Sequence, residues 1–198
     1  GRLPTRDHAQ WVVHPGERGP VREVFEVLAA ELGRAFPGDL SPYDLNPRTD
    51  RHGPKSDHPV RKLADELAEV LNAPGFDLWT SQKAGLDLFL ENERPPALVV
   101  GAQLGRRLQD ADQRFLVARQ LERLKGGHHV LAQLDPRQIE ALLWSVGTMA
   151  NPNLQGSVDP ASADQMQRAL RGISSRARKS LEEVAERLVR APVDVARH

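Results

Sequence analysis

The chain has no cysteine, which excludes disulfides, thiol nucleophiles and cysteine-ligated metals. That count fits a reducing compartment, and the cytoplasm is the expected location. An excess of either charge is also missing: 27 basic and 27 acidic side chains give a formal charge of zero. Nothing in that balance marks a partner such as nucleic acid or an acidic membrane surface. No apolar run approaches the ~18 residues that span a bilayer, and no signal-peptide pattern is visible. Repeats of roughly 20–50 residues are absent. So are a phosphate-cradling glycine loop and a "GxSxG" nucleophile setting.

What is present is the balance of a globular domain, with 39% hydrophobic and 27% charged residues in a chain of 198. That length suffices for one domain with a single core. The start at Gly1 and the stop in "APVDVARH" are expected to be boundaries within a longer protein.

Residues 1–19 are polar and rich in Pro, Gly and His, with a small apolar patch, "WVV", at 11–13. They read as an arm or linker. Pro20 opens an amphipathic helix whose Val21, Val24, Phe25, Leu28 and Leu32 share one face. Residues 37–59 hold five of the fifteen prolines and read as an irregular loop. Asp57 and Pro59 are placed to cap and start a helix whose Val60, Leu63, Ala64, Leu67 and Leu71 form a stripe. Residues 76–81, "FDLWTS", and 86–91, "LDLFLE", then alternate apolar and polar side chains. With "QKAG" between them they read as a β-hairpin. "PALVVG" at 96–101 is a third strand, expected near an edge because proline lacks the ladder donor.

Three helical regions follow. The first ends at Gly126-Gly127, with Lys125 in its last turn. Asp135-Pro136 caps the second. The third runs from about residue 162 to Arg190, with a break expected at Gly172-Ile173-Ser174. Helices, a small sheet and more helices make an α+β pattern, as a single domain over 20–190 with a tail at 191–198.

The first of these helices carries the candidate site, in "RQLERLKGGHH" from Arg119 to His129. A zinc hydrolase places imidazoles at i and i+4 of a helix, with a glutamate after the first as general base. Those three positions hold Arg119, Gln120 and Arg123. A guanidinium has no lone pair for a metal, and an amide takes no proton from water. The pair reads either as a solvated basic face or as a clamp for a carboxylate or phosphate.

The stretch "VVGAQLGRRLQDADQRFLVARQLERLKGGHH" resembles the active-site region of gluzincin-type zinc peptidases, in which a leucine-bearing lead-in precedes an "HExxH" helix. Leu104 and Leu108 match the lead-in, Leu121 the middle of the motif, and His128 or His129 a trailing histidine. The "PGFDLWTS" and "PPALVVG" segments are similar to that family's small sheet, whose edge strand binds substrate. More closely, "HPVRKLADELAEVLNAPGFDLWTS" with "ENERPPALVVG" resembles peptidase-like domains of long bacterial proteins that carry tetratricopeptide-type repeats. The resemblance spans about residues 20–190 and departs from active enzymes at all three catalytic positions. It implies a metallopeptidase-like fold without the chemistry: an inactive scaffold or interaction module with no cofactor. Its partner would be another protein or another part of the longer chain. Val99 and Val100, with Arg119, Gln120 and Arg123, would then line the binding groove. The family's third zinc ligand is a glutamate of a later helix, and Glu182, Glu183 and Glu186 stand there outside any clear motif.

Two competing readings stay open. Glu122 with His128 or His129 would form a rearranged metal site for a hydrolase, although adjacent histidines diverge and the glycines before them would have to fold back. The run 168–180, with Arg168, Arg171, Arg176, Arg178 and Lys179 and no acid, is a candidate phosphate-contacting surface for nucleic acid. It has no interleaved aromatic for base stacking, and three glutamates follow at once. The remaining histidines share no ligand spacing.

Overall fold

The computed structural model describes residues 1–13, 18–107 and 109–191. His14, Leu108, His198 and nearly all of the 191–198 tail lie outside them. Architecture is α+β as expected, with eight α-helices and one four-stranded sheet among the described residues. The chain divides into two compact units, Gly1–Val13 with Pro37–Lys125, and His14–Phe36 with Gly126–His198. Each has its own hydrophobic core, so the 20–190 segment read as one domain contributes to both.

The first unit contains the sheet. Helix α1 (Thr5–Trp11) folds part of the segment read as an arm, and its main chain is tied in by Leu3 N donating to Val70 O at 2.8 Å. Helix α3 (Pro59–Leu71) begins with proline in its first turn, as expected. Its N-cap is His58, however, and Asp57 pairs with Lys62 at 2.7 Å instead of capping. Strands β1 (Arg51–His52), β2 (Asp77–Ser81), β3 (Leu88–Glu91) and β4 (Ala97–Gly101) lie in the order β1-β2-β4-β3.

That order corrects two expectations. β2 and β3 do not form a hairpin: β4 lies between them, parallel to β2 and antiparallel to β3. β4 is therefore internal, not an edge. The physical reason is its composition. Every residue of "ALVVG" is buried, as a strand covered on both faces requires, whereas β3 alternates and β2 is buried only at Leu78 and Ser81. Pro95 and Pro96 precede the ladder and interrupt none of it. Gly101 ends the strand against the main chain of Gly85, where a Cβ would overlap the Gly85 carbonyl.

Leu78, Leu88, Leu90, Leu98 and Val100 share one face of the sheet and meet α3 and helix α5 (Asp110–Lys125) through Ala64, Val117, Leu121 and Leu124. A short helix α4 (Leu104–Arg107) leads towards α5. On the opposite face Tyr43 packs on Phe89 with ring centroids 5.3 Å apart, and its carbonyl accepts from Ser81 Oγ at 2.8 Å.

The second unit is helical: α2 (Pro20–Ala35), a 3₁₀ turn (His128–Gln133), α6 (Pro136–Ala150), α7 (Pro160–Arg171) and α8 (Ser175–Arg190). α6 starts with a capping box between Asp135 and Gln138, which the sequence had signalled at Asp135-Pro136. The expected break falls where α7 ends and Ser174 caps α8. Gly127, at φ 71°, brings the main chain onto Phe25 so closely that a Cβ would collide with the Phe25 carbonyl.

Candidate functional site

Helix α5 begins with Asp110 and Asp112 at its positive end and finishes with Lys125, whose ammonium donates to Leu71 O at 2.8 Å. Its buried face is Val117, Leu121 and Leu124, spaced by four and three residues. This fixes the rotation of the helix and hence the direction of the residues between. Gln120, one position before Leu121, is half-buried at the sheet margin and donates from Nε2 to Leu88 O at 3.0 Å. Its Oε1 is buried with no donor. Arg119 and Arg123 sit one turn apart on an exposed strip beside it. Neither has an acceptor among the described residues.

The Gln120 bond identifies the open side of the sheet. Asp87 O accepts from Gly101 N, so the β3 ladder turns alternate main-chain groups towards β4. Leu88 and Leu90 turn theirs away, to the side β4 does not occupy. The Leu88 carbonyl is taken by Gln120 and the Asn92 carbonyl, on the same side, accepts from Gly38 N at 2.8 Å, so only the Leu90 N–H and C=O between them have no partner among the described residues. Phe89, 36% exposed, stands on this strand. Val99 and Val100 are corrected as groove residues, because β4 is paired on both sides and leaves them 0% and 1% exposed. The edge strand beside Gln120 is β3, and the uncovered part of it is the main chain of Leu90.

The rearranged metal site fares differently. Glu122 points to the side of α5 away from Gln120 and accepts from His8 Nε2 at 2.7 Å, with His8 only 5% exposed. His128 and His129 belong to the other unit, at the first two positions of its 3₁₀ turn. Consecutive residues there diverge by about 120°. Among the described residues no group of three or more His, Asp or Glu side chains converges as metal ligands would. Glu182, Glu183 and Glu186 lie on the exposed face of α8, where Glu186 pairs with Arg190.

Sequence reasoning missed a cluster at the other margin of the sheet. His52, on β1, bonds Thr80 Oγ1 at 3.0 Å and stacks on His58 with centroids 4.2 Å apart. Burial lowers the pKa of both imidazoles, and the neighbouring His52 lowers that of His58 further. Arg61, only 4% exposed, holds Asp65 through two nitrogens at 2.7 and 3.0 Å. It also donates to the carbonyls of His52 and Phe76 at 3.3 Å. The spacing of His52 and His58 carries no helical signal, and a two-residue strand is too short for a period-two pattern. Only the unusual Arg61 beside the α3 stripe could have drawn attention to them.

Among the described residues no helix is long and apolar enough to cross a membrane. The chain matches no family model, no curated protein and no solved structure.

Proposed function

We propose that the chain is a catalytically inactive, peptidase-like interaction module of a longer bacterial protein, acting in the cytoplasm by binding without turnover. The observation that carries this reading is the arrangement around Gln120. The three positions that would bear two metal ligands and a base carry two guanidiniums and an amide, and the amide is bonded to the edge strand β3. A short extended segment of a protein partner, or of the same longer chain, hydrogen-bonds to the Leu90 main chain, in the gap between the Gln120 and Gly38 bonds on this edge. Its acidic side chain meets Arg119 and Arg123, which have no competing carboxylate among the described residues. Phe89 offers the strand an apolar anchor at the same edge.

The test is selection of linear peptides from a random displayed library on the purified chain. Enrichment of extended sequences with acidic residues, lost in Arg119→Glu/Arg123→Glu, is the expected result. Failure to enrich, or enrichment that ignores the charge reversal, would overturn it.

A further inference from the structure

The geometry points to a binding site for a small organic anion in the helical unit, at a cavity between α6, α7 and α8. This inference is independent of the reading of the β3 edge and uses none of its residues. The cavity has a volume of about 260 Å³. That lies just below the ~300–1,000 Å³ of ordinary ligand clefts, so the ligand is small.

Two arginines of the acid-free run 168–180 line it, Arg171 from the end of α7 and Arg178 from the first turns of α8. Arg171 has no acceptor among the described residues. Arg178 is positioned by a bond from one terminal nitrogen to Leu170 O at 3.2 Å, which leaves its other N–H groups for a ligand. Gln167 adds an amide to the same wall.

The floor supplies the second observation. Ser145 lines the cavity and is 3% exposed, yet its hydroxyl has no hydrogen-bond partner. A buried hydroxyl without a partner is costly, and it calls for a hydrogen-bonding group that the chain itself does not supply. Met149 and Leu170 give the lining an apolar part.

Two guanidiniums, an amide and an orphan hydroxyl around an apolar patch select one chemical class. The ligand carries a carboxylate or phosphate group on a short apolar body. Nucleic acid is disfavoured, because no aromatic side chain lines the site for base stacking.

The whole chain is titrated calorimetrically with inorganic phosphate and, separately, with butyrate, against sodium chloride at matched ionic strength. Saturable binding of at least one of the two is expected. Arg171→Gln and Arg178→Gln should each weaken it by about tenfold or more, the scale of one charge-assisted hydrogen bond. Arg176→Gln, in the same basic run but outside the cavity lining, should leave it unchanged. Ser145→Ala separates a binding role from a packing role: it should weaken the anion while leaving the melting temperature of the free protein equal or higher. No saturable binding up to roughly 20 mM, well above a millimolar dissociation constant, would overturn the proposal. Equal loss in Arg176→Gln would also overturn it, by showing diffuse attraction, as would preference for an oligonucleotide over both small anions.

Discussion

The amide of Gln120 donates to Leu88 O at 3.0 Å while its own oxygen is buried without a donor. A carboxylate at this position accepts only, so Gln120→Glu would set a largely buried charge against a carbonyl and remove the bond that ties α5 to Leu88 of the edge strand. The variant should lose about 1–3 kcal/mol of stability in urea unfolding. An unchanged midpoint would show that the bond contributes nothing. The histidine pair supplies a second residue-scale expectation. Both His52 and His58 titrate below their ordinary 6.5 because burial disfavours the charged ring. The unfolded chain therefore binds protons more readily than the folded one in the window below pH 6.5. Stability from this pair is complete above that value and is lost as pH falls through the depressed folded values. The lowered carboxyls of Asp39, Asp50, Asp57 and Asp159 have an ordinary value of 3.8 and act below it, so the two windows separate. Melting curves between about pH 4.5 and 6.5 should slope upward with pH, and His52→Gln/His58→Gln should flatten them.

Among the elements, most helices were legible from their apolar period, and a cap marked the start where Asp135 precedes Pro136, though not at Asp57. At Asp135-Pro136 an N-cap residue and a proline announced a helix start, to which the structure adds the Gln138 half of a capping box. Asp135→Ala should cost about 0.5–2 kcal/mol in urea unfolding, and a loss confined to a tenth of that would leave the box without consequence. Strand segments were legible too, but their pairing was not. A two-strand alternation with a turn between looks like a hairpin, yet the sheet places "ALVVG" in the middle, where its five buried residues belong. The decision between those arrangements lies in contacts far apart in sequence, such as Asp77 with Ala97. The same holds for His8 on Glu122, 114 positions apart, and for the Arg61 contacts, which no local pattern encodes. Helix α1 was hidden inside a segment whose Pro, Gly and His content argues for a linker, and the hydrogen bonds His8–Glu122 and Leu3–Val70, far apart in sequence, hold that segment in place.

For the whole molecule, the helix that carries Arg119, Gln120 and Arg123 lies beside β3 and not beside an exposed β4. The positions singled out on α5 hold a half-buried amide and two solvent-facing arginines, and the edge beside them is β3 instead of β4. Two cores replace the one expected from length alone, since composition does not report how apolar residues are shared between units. The central claim is that this arrangement binds but does not hold a catalytic metal. Isothermal titration of zinc into the metal-depleted chain at neutral pH, followed by metal analysis of the dialysed protein, tests it most directly. The account predicts no stoichiometric, tightly held zinc. One zinc retained per chain, and released by His128→Ala or His129→Ala, would contradict it and restore the hydrolase with rearranged ligands.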